Sequence, residues 1–327
     1  MGKCVLGLLF LLVFMGGFSA EAGTKLGVVY ANGWADDAAV ITKHVERIKA
    51  AGFSRIVIPF WGCQPDTKSS EVGSCEVAPP STFILQAKIA QSLGLEVSFL
   101  PIVGTPKGEW RGLFKPENVS RWFQTYFAWV KMVAVEAEKL KMKELVAATE
   151  FSVYLYSQTQ NWKILLANLR PYFTGRLIIT TNWDHPDFDF WSEADAFGIS
   201  AYFPLSTGST TMEALVKGAV KNREAMRAKA AKAGKPLHVT EFGFPGTVTA
   251  AAKPWYYPAP GEPVPAEDMP LQARCHEAFL KSWENETLPV NMNVWATHDP
   301  TNVSPISFEV IGKPSEAILK KYAQAMP

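Results

Sequence analysis

Leu237-His238-Val239-Thr240-Glu241-Phe242-Gly243 begins as an apolar strand and ends on a carboxylate. A second stretch, Glu144-Leu145-Val146-Ala147-Ala148-Thr149-Glu150, has the same form. In each, a strand-like run is followed by a longer segment with helical spacing. The same alternation recurs on both sides of these two stretches: strand-like runs at 26–30, 55–61, 96–103, 144–150, 176–183, 197–202, 236–244 and 292–297 alternate with helical patterns at 36–51, 81–93, 118–140, 160–172, 188–193, 211–233, 267–285 and 315–326. Eight β-then-α units predict an α/β fold with a parallel sheet closed into a single (β/α)8 TIM barrel. An open doubly wound sheet would need a Gly-rich phosphate loop after a strand, and there is none.

The length of 327 residues suits one barrel. No internal boundary appears, and the proline-dense stretch Pro254 to Pro270 reads as a long loop after strand seven. The domains expected are a signal peptide over residues 1–22 and a catalytic barrel over 23–327. Lys3, the apolar run Val5 to Phe14 and the small residues Ala20 and Ala22 form the secretory pattern, too short to span a membrane. A secreted or periplasmic location is expected, with no membrane contact after signal removal. Basic and acidic side chains number 32 and 31, which argues against a nucleic-acid partner. A monomer is expected. Cys63 and Cys75 bracket a polar loop and predict a disulfide in an exported chain, leaving Cys275 as a buried thiol. No Cys/His spacing suggests a metal, and no cofactor is implied. Asn118, Asn285 and Asn302 begin N-x-Ser/Thr triplets.

Chemistry in such barrels sits at the C-terminal ends of the strands. Alternation would put Val146, Ala148 and Glu150 on one face, and Leu237, Val239 and Glu241 on one face. An inward carboxylate among apolar neighbours is costly unless it is paired or used. Two of them, three strands apart across a barrel mouth, suit cleavage of a glycosidic bond: one protonates the leaving oxygen, the other stabilises or attacks the anomeric carbon. Tyr202, ending strand six, can donate its hydroxyl to Glu241, and an acid at Glu150 calls for a raised pKa. Candidate substrate-binding residues are Trp295 at the end of strand eight, Asn182 and Trp183 ending strand five, Trp110 and Arg111 in the third βα loop, Trp61 ending strand two, and Asp184 and His298 near the mouth. Trp34, following strand one, ranks with Trp61 below the others, and His185 lies near the mouth beside Asp184 and His298. Many of the 11 Trp residues are expected to be core.

Several motifs carry a resemblance: Trp110-Arg111-Gly112, Ala148-Thr149-Glu150, Thr181-Asn182-Trp183-Asp184, Phe197 to Leu205, Gly234 to Phe244, and Lys253-Pro254-Trp255. From about Trp110 to Tyr257 the chain resembles glycoside hydrolase family 113, a retaining β-mannanase family of clan A. The resemblance implies Glu150 as acid/base, Glu241 as nucleophile and a Tyr, here Tyr202, near the nucleophile. It weakens after strand seven, and it does not extend to the Cys63–Cys75 loop. The expected function is a retaining endo-β-1,4-glycoside hydrolase, with β-mannan the substrate the resemblance implies. A lysozyme-like hydrolase of peptidoglycan strands is the alternative, suggested by the acidic residues Asp184, Asp187, Asp189 and Asp299 for partly deacetylated, cationic sugars. A transglycosylase on the same carboxylates, or an inactive glycan-binding barrel, are further readings. The partner in every case is a polysaccharide or glycan strand.

Overall fold

The computed structural model describes residues 23–32, 37–76, 79–258, 261–301 and 303–326. The signal-peptide expectation over 1–22, Trp34 and Asn302 lie outside them.

Eight parallel strands form the barrel: β1 (Lys25–Tyr30), β2 (Arg55–Cys63), β3 (Glu96–Gly104), β4 (Glu144–Thr149), β5 (Arg176–Asn182), β6 (Ala196–Ser200), β7 (Leu237–Phe242) and β8 (Asn291–Thr297). Each pairs with the next, and β8 returns to β1, with Lys25 opposite Asn291, so no barrel edge is left open. Helices α1 (Ala38–Ala50), α2 (Pro80–Ser92), α3 (Val119–Lys139), α4 (Val153–Tyr156), α5 (Thr159–Leu169), α6 (Met212–Ala233), α7 (Met269–Lys281) and α8 (Pro314–Ala325) surround it. This is the single (β/α)8 barrel that the alternation predicts. The one missing crossover helix follows β5: the expected helix at 188–193 is a single 3-10 turn, Trp191–Glu193. Aromatic residues at Phe188, Phe190 and Trp191 pack there in place of a helical face.

Local capping chemistry starts the helices where the sequence supplies it. Asp37 accepts from the Ala39 and Val40 amides, Asn118 from Arg121, and Thr211 from Ala214. Gly234 closes α6 in the left-handed conformation that costs glycine least. Along α6, Gly218 lets the helix approach the loop after β6 so closely that a Cβ would sit 1.8 Å from the Leu205 carbonyl oxygen. Asn222 donates to Pro204 O at 2.9 Å beside it. That packing fixes the segment from Tyr202 to Leu205.

Two apolar layers divide the core. Val29, Val57, Leu100, Ile102, Val146, Ile178 and Ala296 fill the barrel interior, while the larger layer lies between strands and helices. Trp122, Trp129, Trp162, Trp191 and Trp283 are buried in that outer layer. At the N-terminal end of the barrel, Arg55 is fully buried and binds Glu96, Glu144, Ser98 and Asn293. Arg176 and Asn291 complete the shell around Glu144. Burial would otherwise forbid these charges, so each is neutralised and hydrogen-bonded.

The Cys63–Cys75 disulfide is present, with Cα atoms 5.1 Å apart. Gly73–Ser74 pairs antiparallel with the end of β2 inside the loop it closes. Cys275 is a buried free thiol, pushed up to about 12 by burial. No helix among the described residues is long and apolar enough to cross a membrane.

Candidate active site

Both glutamates lie where strand regularity fails. In β4 the register with β5 slips between Val146 and Ala148, and in β7 the register with β6 and β8 slips after Val239. The expected faces are therefore corrected. Val146 fills the barrel interior, whereas Ala148 packs in the outer layer. Leu237 and Val239 also belong to the outer layer, whereas Glu241 meets Tyr202 and the field of Glu150 and Arg111. A bulge adds one residue and re-aims the side chains beyond it. A carboxylate thereby arrives at the mouth from a strand whose alternation pointed elsewhere.

Glu150 comes immediately after β4. Its φ of 49° is left-handed, a region that costs a residue with a Cβ ~1–2 kcal/mol. Surrounding contacts hold it there. Thr180 O accepts both the Glu150 amide, at 3.0 Å, and the Tyr156 hydroxyl, at 2.6 Å. Tyr126 donates to Ala147 O at 2.7 Å, at the slip itself. Below lies a cluster of Trp122, Tyr126, Phe151 and Trp162 in edge and stacked contact. Strain maintained by an overdetermined shell at a strand end is a mark of function.

Glu150 is 7% exposed and Glu241 2%. Tyr202 donates its hydroxyl to Glu241 Oε2 at 2.9 Å, and Glu241 Oε1 is buried with no hydrogen-bond partner. Arg111 donates Nη2 to Glu150 Oε2 at 2.6 Å and Nε to Thr149 O at 2.9 Å. Electrostatics tie all four together. The Glu241 carboxyl is pushed up to about 8, first by burial and next by repulsion from Glu150; Arg111 and the Tyr202 hydrogen bond oppose the rise. Tyr202 is raised in turn by burial, then by Glu241 and Glu150. The pronounced rise at the mouth is that of Glu241. Two carboxylates sharing a buried site resist ionising together, which is the repulsion that adds to burial at Glu241.

The other sequence candidates occupy the same mouth with different surroundings. Asn182, the last residue of β5, donates to Asp184 at 2.8 Å across a turn closed by His185. Trp183 is half-buried between Phe203 and Trp255, with ring centroids 5.3 and 5.5 Å away. Trp61 and Trp295 both rest on the barrel-interior cluster, and neither is fully buried. Trp61 lies within β2, not at its end. Trp110 is 44% exposed and folds over Gly112. His298 is edge-on to Trp295 and is held through its ring and its amide by Glu309.

Sequence reasoning missed Glu309 and passed over Trp255. Trp255 stood in a motif, but its place against Trp183 depends on the long loop folding back. Glu309 had no signal: it is a loop residue that meets His298 only through the turn between them. The loops after β7 and β8 also enclose a cavity of about 320 Å³ lined by Tyr256, Tyr257, Val264 and Ile306. A larger cavity, about 620 Å³, lies at the opposite end of the barrel. Its cations are engaged within the protein, as Lys25 with Glu96, Arg227 with Glu286 and Lys235 with the Ser192 carbonyl, and it is remote from both glutamates. Among the described residues no group of three or more His, Cys, Asp or Glu side chains could hold a metal.

A closed (β/α)8 barrel with two buried carboxylates at its C-terminal mouth is the arrangement in which glycosidic bonds are cut. Residues 27–298 match the model of Glycoside Hydrolase Family 113, and the chain belongs to that family; it is a glycosidase acting on a glycan. Among solved structures, it is similar to the GH113 beta-mannanase AaManA from Alicyclobacillus acidocaldarius (21% identity, 93% of this chain and 96% of that one, TM-score 0.75). It is also similar to another GH113 beta-1,4-mannanase (19%, 93% and 98%, TM-score 0.75) and to GH5_18 from Streptomyces cattleya (12%, 93% and 80%, TM-score 0.60). At such identities these likenesses speak to the fold. No curated protein matches the chain.

Proposed function

We propose that this protein is a retaining endo-β-1,4-mannanase, exported after removal of residues 1–22 and active as a monomer. Glu241 is the nucleophile and Glu150 the general acid/base. The observation that carries this reading is the asymmetry of the pair. Glu241 has one oxygen oriented by Tyr202 and the other unpartnered, as an attacking carboxylate needs. In the first half-reaction Glu241 attacks the anomeric carbon while Glu150 gives its proton to the leaving oxygen. In the second, water attacks and the bond to Glu241 breaks. Trp295 and Trp61 offer apolar faces at the barrel centre. Trp183, Trp110, Asn182, Asp184 and His298 line the approaches and contact neighbouring sugars.

Mannan is favoured over peptidoglycan for two reasons. The similar GH113 structures are beta-mannanases by name. Three of the four acidic residues that suggested cationic sugars are also engaged within the protein: Asp187 with Lys232, Asp299 with Thr301 and His44, and Asp184 with Asn182. The test is incubation with mannan, chitosan oligomers, and native and deacetylated peptidoglycan, with product masses and the anomer first formed read by NMR. Mannooligosaccharides of retained configuration are expected. Muropeptides or chitooligomers without mannan cleavage would overturn the substrate, and an inverted anomer the mechanism.

A further inference from the structure

Arg111 presents a difficulty for that mechanism. An arginine 2.6 Å from a carboxylate favours the ionised form, yet the first half-reaction needs Glu150 as an acid. The second half-reaction has the opposite need. Once Glu241 is esterified it carries no charge, and Glu150 must be a carboxylate to take a proton from water. Resting on the retaining reading above, we propose that Arg111 is a positioning residue for this second step, holding Glu150 ionised and aimed while the glycosyl-enzyme is hydrolysed.

The surroundings are built for it. The Arg111 side chain is 14% exposed, and its Nε hydrogen bond to Thr149 O sets the guanidinium against the residue just before Glu150. The segment that follows Arg111 is tied down by three hydrogen bonds. Ser152, two residues beyond Glu150, donates to Phe114 O, and the Lys115 and Glu117 amides donate to Thr67 O and Lys68 O in the disulfide-closed loop. The other titratable groups facing Glu150 are Glu241 and Tyr202 across the mouth, Tyr156 from α4, and His185 from the loop after β5. Burial lowers the His185 pKa, leaving Arg111 as the cation in contact with Glu150.

The step balances. A lone pair of the water oxygen forms the bond to the anomeric carbon. The bond from that carbon to the Glu241 oxygen breaks, its electron pair restoring the carboxylate. The water proton passes to Glu150, which is then the acid required for the next turnover. Arg111 thus trades some rate in the first step for rate in the second.

The test uses 2,4-dinitrophenyl β-mannobioside, whose leaving group needs no protonation. For Arg111→Gln, deglycosylation should become limiting. A burst of dinitrophenolate is expected, with kcat lower by roughly 10²-fold and KM lower with it. Azide, which needs no base, should restore turnover and give the β-glycosyl azide. The acidic limb of kcat should move to higher pH by about one unit, because the base holds its proton longer without the cation. Arg111→Lys should recover most of the rate. A raised KM with unchanged kcat, or no burst and no azide effect, would overturn the proposal and leave Arg111 a sugar-binding residue. An inverted product from the unaltered protein would instead overturn the retaining reading beneath it.

Discussion

The Tyr202 hydroxyl donates to one oxygen of Glu241 at 2.9 Å, and the other oxygen of that carboxylate is buried without a partner. The hydrogen bond favours the carboxylate over the acid, so it opposes the upward push of burial and of Glu150. Tyr202→Phe removes it. Glu241 should then lose its proton at higher pH, moving the acidic limb of kcat/KM upward, with a loss in kcat/KM of roughly 10–10². A pH–rate series on mannan oligomers measures both. An unmoved acidic limb would show that the hydroxyl does not act on Glu241.

Glu241 should also cost stability. Its folded pKa, about 8, lies above the ordinary 4.5, so the native state holds this proton more tightly than the unfolded chain does. Its contribution is complete below about 4.5 and is lost as pH rises through about 8. Glu241→Gln removes the titration. The variant should gain Tm over the unaltered protein, and the gap should widen across that window. Thermal melts at intervals from pH 4 to 9 decide it, and a gap constant with pH would contradict the shift.

The ion network at the other end of the barrel behaves oppositely. Glu96 is held down to about 2: burial would raise it, but Arg55, Lys25 and Lys143 together prevail. Glu144 is also lowered, against the same burial, by Arg55, His238 and Arg176. A depressed carboxyl stabilises the fold above its unfolded pKa and loses that contribution as pH falls. Acid unfolding should therefore set in between about 4.5 and about 2. Arg55→Met leaves Glu144 buried without its main partner and should cost ~3–5 kcal/mol in urea unfolding. A near-neutral effect would mean that water or rearrangement replaces the arginine.

The disulfide should matter for stability. It closes the loop between Cys63 and Cys75, a separation of 12. Loop-closure entropy for that length is worth ~2–3 kcal/mol. The loop is also fastened to α3 by Val72 N to Thr125, Arg121 to Glu71, and Trp122 Nε1 to Gln64. Cys63→Ser/Cys75→Ser should unfold at lower temperature by calorimetry while keeping the barrel's circular dichroism. A Tm equal to that of the oxidised protein would show that these contacts suffice without the covalent link.

Much of this molecule was legible from local pattern. Each βα unit is a run of neighbouring residues, and its periodicity survives in the sequence because burial on one side is decided locally. The turn at Trp191–Glu193 departed from that reading because six residues rich in aromatics fit a short helix and a packed loop equally well. The positions of Glu150 and Glu241 at strand ends were readable for the same reason, whereas Tyr202 near the nucleophile was implied by the family resemblance.

Other features needed the third dimension. The slips in β4 and β7 exist only between paired strands, so the alternation in either strand alone put Ala148, Leu237 and Val239 on the wrong side. Glu309 reaches His298 through a loop, and Trp255 reaches Trp183 across one. The barrel and the two carboxylates at its mouth were thus written in the order of residues along the chain. How far the Glu241 carboxyl rises above its usual range was settled only by folding. It depends on burial and on Arg111, a charge 39 residues from Glu150 along the chain and 2.6 Å from it in space.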